Sequence, residues 1–164
     1  MQLSNGNAST AGGLDVVRRV LREAGRDPQR GRLVDGSGLS RMDLIAAADL
    51  VALLRNTAMR DPTFVELLPA MGRHGTLRTR LVGTGAEAVV HAKTGALTGH
   101  RTLVGVVDHP NGSRAYFAVM VDGTPWGRAQ VDVAVDTWLE QWVRATSSSS
   151  TSSPAPRISS ALPP

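Results

Sequence analysis

The chain has 164 residues, 41% of them hydrophobic, 20% charged and 4% aromatic, with no cysteine. That length predicts one ordinary globular domain that buries roughly two-thirds of its unfolded surface, and the cysteine count excludes disulfides and thiolate metal sites. The net charge is +4, but the basic residues are scattered rather than massed with aromatics, so no nucleic-acid surface is expected. No segment holds the ~20 apolar residues of a membrane-spanning helix, and Met1 to Thr10 lacks the basic-then-apolar pattern of an export signal.

In chain order, Leu14, Val16, Val17, Val20, Leu21 and Ala24 form a helical stripe opposite Arg18, Arg19, Arg22 and Glu23. This predicts a first helix over residues 13–24, closed by Gly25. A glycine-rich turn, Asp35-Gly36-Ser37-Gly38-Leu39-Ser40-Arg41, follows. Ser40 with Asp43 three residues later has the form of a capping box, and Leu44, Ile45, Ala48, Val51, Ala52 and Leu54 would supply the buried face of the second helix. Asp61-Pro62 reads as the start of a short helix carrying Phe64, Val65, Leu67 and Leu68.

From residue 88 the period becomes that of extended chain. Residues 88–94, 100–108 and 114–122 are predicted as antiparallel strands, the last two joined by the turn His109-Pro110-Asn111-Gly112-Ser113. Val131, Ala134, Val135, Trp138, Leu139, Trp142 and Val143 then give a wide apolar face to a closing helix over 127–144, which must lie against the sheet. Residues 145–164 contain eight serines and four prolines, and are expected to form a disordered tail.

All but one of the 18 basic residues are arginine, and the exception, Lys93, lies within a predicted apolar strand beside Thr94 and Gly95. Two readings are open: an edge-strand lysine that blocks aggregation, or a cation placed for chemistry. The histidines, His74, His91, His100 and His109, are spaced 17, 9 and 9 residues apart without a carboxylate pair, so no metal site is expected. Gly83-Thr84-Gly85 is too short for a phosphate loop and no Gly-Lys-Ser/Thr follows it. No cofactor is implied.

Three segments in order, residues 35–41, Leu67-Leu68-Pro69-Ala70-Met71-Gly72-Arg73-His74-Gly75-Thr76-Leu77-Arg78-Thr79-Arg80, and His91-Ala92-Lys93-Thr94-Gly95-Ala96-Leu97-Thr98-Gly99, resemble the serine D-alanyl-D-alanine carboxypeptidases. Within these the chain is similar to the class C low-molecular-mass penicillin-binding proteins, peptidase family S13. The resemblance covers about residues 11–144 and implies a mixed α/β (α+β) fold of the penicillin-binding, serine β-lactamase-like type, present in part: antiparallel strands with a packed carboxy-terminal helix. Residues 1–144 would then be the carboxy-terminal part of the catalytic domain.

The resemblance also implies site residues. Lys93 would set positive charge near the substrate's terminal carboxylate, Thr94 would donate its hydroxyl to that carboxylate, Gly95 would let the substrate backbone lie along the strand, and the Ala96 N–H would form half of an oxyanion hole. The family often carries threonine at the position of Ala96, a mild departure because only the backbone is needed. For Asp35 to Arg41 a structural turn competes with a substrate-binding role of Ser37, Leu39 and Arg41, in which Arg41 pairs with a carboxylate of the peptidoglycan stem.

The family's Ser-x-x-Lys nucleophile and Ser-x-Asn motif do not occur in this sequence: the residue three before the only lysine is Val90, and no serine has asparagine two places on. The chain is therefore expected to begin just downstream of both and to be inactive alone. The implied parent activity is D-Ala-D-Ala hydrolysis in the cell envelope, inhibited by β-lactams. The alternative is a non-catalytic envelope protein that binds peptidoglycan peptides. The strand 114–122 would expose a sheet edge, through which the chain could self-associate.

Overall fold

A computed structural model describes residues 9–148. The chain divides between Pro62 and Thr63 into two compact units. Among the described residues no helix is long and apolar enough to cross a membrane.

The first unit holds α1 (Thr10–Glu23) and α2 (Ala47–Arg60). Ser9 caps α1 by accepting from the Gly12 N–H at 3.1 Å. At the other end the Arg26 N–H reaches the Leu21 carbonyl and the Gly25 N–H that of Arg22, both at 2.9 Å, a Schellman closure. Leu14 and Leu21 are buried, whereas Val17 is exposed.

The second helix starts later than the sequence suggests, at Ala47. Arg32 and Leu44 exchange backbone hydrogen bonds of 2.8 and 2.6 Å, which holds residue 44 extended and exposed. The Asp43 carboxylate accepts from the Val34 N–H instead of completing a capping box, and the Ser40 hydroxyl accepts from the Met42 N–H. Of the expected apolar face only Leu54 is buried. Asp49, outside the expected stripe, is buried and accepts from Arg26 at 2.5 Å, so a charge pair forms part of the buried side of the helix. The short helix at Asp61-Pro62 is a 3-10 helix, Pro62–Leu67, in which Val65 is buried and Leu67 exposed.

The second unit is a three-stranded antiparallel sheet, β1 (Val90–Leu97), β2 (His100–Asp108) and β3 (Arg114–Asp122), in the order β1-β2-β3. The first strand begins two residues later than the alternation suggests, because Ala88 has φ 63°, outside the extended region. It also runs three residues further, past Thr94, and the two-residue turn Thr98-Gly99 joins it to β2. The second turn is the one expected: the His109 N–H bonds the Ser113 carbonyl at 2.9 Å. Beside it Arg114 grips Asp108 through two hydrogen bonds of 2.5 and 3.0 Å, which raise the guanidinium pKa above its ordinary value.

The closing helix, α3, spans Arg128–Ser148, four residues beyond the expected end, so 145–148 are helical; the rest of the expected tail lies outside the described residues. Val131, Val135, Leu139, Trp142 and Val143 recur at helical spacing and pack with Val90, Ala92, Leu103, Val107, Phe117 and Val119 of the sheet into one core. Trp138 and Trp142 stack with centroids 5.7 Å apart, and Phe117 meets Trp142 edge-on at 5.8 Å. Arg80 forms a fork on Asp136 of α3 with hydrogen bonds of 2.6 to 3.1 Å, which fixes the long connection that precedes β1.

Candidate active site on the open edge of the first strand

Lys93, Thr94, Gly95 and Ala96 lie in the middle of β1, and not at a strand end as expected. Antiparallel pairing turns alternate residues of a strand toward and away from the neighbour. Here the Ala92 N–H bonds the Pro69 carbonyl at 3.0 Å and the Val90 carbonyl accepts the Met71 N–H at 2.8 Å, so even-numbered residues face away from β2. Segment 69–71 covers that side of β1 only at its start. Beyond it the backbone groups of Thr94 and Ala96 are presented on the open side, while Lys93 and Gly95 pair inward with Val104 and Thr102.

Side chains alternate across the sheet as well. Lys93 projects from the face opposite the core and is exposed; its ammonium donates to the Thr94 carbonyl oxygen at 2.6 Å, on the open edge. The Thr94 hydroxyl lies 3.1 Å from the Thr76 hydroxyl. Thus the N–H groups of Thr94 and Ala96, one ammonium and one hydroxyl lie along a short length of strand that no described residue pairs with. That arrangement can take an extended peptide as an added strand and meet its terminal carboxylate with a cation and a hydroxyl donor. In the free chain this contact shields the edge, so an added strand that used the Thr94 carbonyl would have to displace the Lys93 ammonium, which frees the cation for the ligand's carboxylate.

Gly95 has a reason the sequence did not disclose. A Cβ there would collide with the Thr102 hydroxyl on β2, so the glycine also serves close cross-strand packing. Thr76 was missed as a site residue, although it lies within the second of the three resembling segments.

Ser37, Leu39 and Arg41 lie in the first unit, in the loop that the Arg32–Leu44 bridge closes. The Ser37 hydroxyl donates to Asp35 at 2.9 Å and accepts from the Leu39 N–H at 3.1 Å, which commits it to the turn. Leu39 is 72% exposed and Arg41 is exposed. Of the histidines, His100 pairs with Asp122 at 2.8 Å and His109 is buried. Among the described residues no three His, Asp or Glu side chains converge to hold a metal ion.

Residues 1–143 match the family described as D-Ala-D-Ala carboxypeptidase 3 (S13). A D-alanyl-D-alanine carboxypeptidase of Actinomadura sp. (strain R39) is 40% identical over 114 residues, 65% of this chain and 21% of that protein. Penicillin-sensitive carboxypeptidase A of Dictyostelium discoideum is 37% identical over 102 residues, 56% of this chain and 19% of the relative. The crystal structure of penicillin binding protein 4 (dacB) from Haemophilus influenzae, complexed with a β-lactam, superposes with a TM-score of 0.65 at 30% identity, over 73% of this chain and 28% of that one. The chain therefore spans about a fifth of the length of these curated relatives. The matched residues include the Lys93-Thr94-Gly95 strand, its hairpin and the closing helix, and the chain belongs to the D-Ala-D-Ala carboxypeptidase 3 (S13) family.

Proposed function

We propose that this chain supplies the substrate-carboxylate side of a serine D-Ala-D-Ala carboxypeptidase site acting on peptidoglycan stem peptides outside the cytoplasmic membrane. The observation that carries the reading is the open stretch of β1 at Thr94 and Ala96, flanked by the Lys93 ammonium and the Thr94 hydroxyl. A stem peptide ending in D-Ala-D-Ala lies along this edge, with its carboxylate held by Lys93 and Thr94. The Ala96 N–H then stabilises the oxyanion formed when a serine hydroxyl attacks the penultimate carbonyl carbon. Collapse of that intermediate breaks the peptide bond, protonates the leaving amine and releases D-Ala; water then hydrolyses the acyl-serine. β-Lactams would acylate the same serine.

The serine and its lysine base belong to a Ser-x-x-Lys motif that this sequence does not contain, so the chain by itself is proposed to bind without hydrolysing. The test joins it to the part of the Actinomadura relative that this chain does not match, which on this reading carries both motifs, and exposes the fusion to a fluorescent penicillin. Labelling is expected, with Lys93→Ala slowing it by about 10²-fold or more. A folded fusion that never labels yet binds acyl-D-Ala-D-Ala would overturn the catalytic reading in favour of a peptide-binding envelope protein.

Substrate preference is assigned to Arg41, beside Leu39 and Ser37 in the glycine-rich loop, as the partner of a carboxylate on the stem peptide. In the same fusion Arg41→Ala should raise KM for acidic stem peptides and leave simple acyl-D-Ala-D-Ala unchanged; equal effects on both would contradict this.

We propose also that the outer edge of β3 lets the chain self-associate. The even-numbered residues Tyr116, Ala118 and Met120 turn their backbone groups away from β2, and no described strand covers them. Sedimentation should show concentration-dependent dimers that Ala118→Pro abolishes, since the lost N–H faces outward and the β2–β3 ladder survives. A wild-type monomer at all concentrations would contradict the proposal.

A further inference from the structure

We propose that Thr76 is a positioning residue for the carboxylate site: its hydroxyl donates to Thr94 and thereby turns the Thr94 proton toward the open edge. The inference rests on the reading of β1 as the carboxylate-binding edge and adds to it a residue outside the Lys93-Thr94-Gly95 strand.

The geometry is local and tightly tied. The two hydroxyl oxygens are 3.1 Å apart, and either could donate. A hydroxyl has one proton. If Thr94 spends its proton on Thr76, nothing remains for a carboxylate; if Thr76 donates, Thr94 is polarised and free to donate onward. An arriving carboxylate, which only accepts, selects the second arrangement. A chain of donors then runs from Thr76 through Thr94 to the ligand.

Thr76 is exposed, yet its backbone is held. It lies in a short 3-10 turn, Gly75–Leu77, next to Leu77, which is fully buried. The Gly72 N–H bonds the Leu77 carbonyl at 2.9 Å, and the His74 N–H bonds the Ala70 carbonyl at 3.1 Å. The start of that loop is itself stitched to β1, since Met71 donates to Val90 and accepts from Ala88 at 2.8 and 2.9 Å, and Pro69 accepts from Ala92. Few free torsions therefore separate Thr76 from Thr94, although 18 positions separate them in sequence. Neither hydroxyl is needed for the core, which Leu77 and Val90 fill from the same two segments.

The test uses the whole chain, with Thr76→Val and Thr76→Ser, and N-acetyl-D-Ala-D-Ala as probe beside its carboxy-terminal amide. In the free protein, three-bond couplings to the Thr94 γ-methyl should report one χ1 rotamer in wild type and Thr76→Ser, and rotamer averaging in Thr76→Val, with melting temperatures alike. Thr76→Val should weaken the carboxylate probe about fivefold and leave the amide unchanged, and Thr76→Ser should restore it. If wild type prefers the carboxylate and all three proteins bind it equally, or serine fails as badly as valine, the positioning role is overturned and the edge reading stands. If wild type does not distinguish carboxylate from amide, the edge reading falls and this role with it.

Discussion

Replacing Gly105 by alanine is expected to break the β1–β2 pairing and cost more than about 3 kcal/mol, the range of the severest single substitutions. An added Cβ would meet the His91 carbonyl oxygen, and would come within 2.5 Å of the Ala92 Cβ and 2.8 Å of its Cα. None of these atoms is the end of a flexible side chain. Ala92 is fully buried and its N–H is bonded to Pro69, so β1 cannot retreat without releasing segment 69–71. Urea unfolding should show the loss, and amide signals of residues 93–96 should collapse with it. Gly95→Ala is the informative contrast. Its added Cβ meets mainly the Thr102 hydroxyl, which can rotate away at about 1 kcal/mol, so stability should be largely kept.

Leu139→Ala should cost about 3 kcal/mol, within the span for buried leucine truncations, and lower Tm by roughly 10 °C. Leu139 is fully buried in the face that α3 presents to Leu103, Phe117 and Val119, where little can move into the void: its neighbours Trp138 and Trp142 are already stacked on each other. Val133, on the same helix but 64% exposed, is the control, and Val133→Ala should stay within about 0.5 kcal/mol. Equal melting temperatures for the two variants would contradict the packing of α3 on the sheet.

The sheet was legible because its signals are local. Alternation in residues 100–108 and 114–122 with the Pro110-Asn111-Gly112 turn, and helical spacing from Val131 to Val143, each fix an element without outside help. The errors before the second helix share one physical cause, long-range pairing that overrides local pattern. Ser40 and Asp43 have capping-box spacing, yet Asp43 is taken by Val34 across a closed loop. Leu44 belongs to an apolar stripe, yet its backbone pairs with Arg32.

The candidate site was legible in part. A sole lysine in an arginine-rich chain marked Lys93, and resemblance in three ordered segments placed Thr94, Gly95 and Ala96 around it. Sequence could not show that β1 continues to Leu97 with its even-numbered backbone groups on an open edge. That follows from which side segment 69–71 pairs on. The Thr76–Thr94 contact depends on the same docking and leaves no pattern in the chain.

The most direct test of the central claim is titration of the isotope-labelled chain with N-acetyl-D-Ala-D-Ala, followed residue by residue through backbone amide shifts. Saturable shifts at Thr94 and Ala96, with the N-acetyl-L-Ala-L-Ala isomer inert, are the result predicted. Shifts confined to residues outside β1, or identical responses to the two isomers, would contradict the assignment of this edge as the D-Ala-D-Ala site.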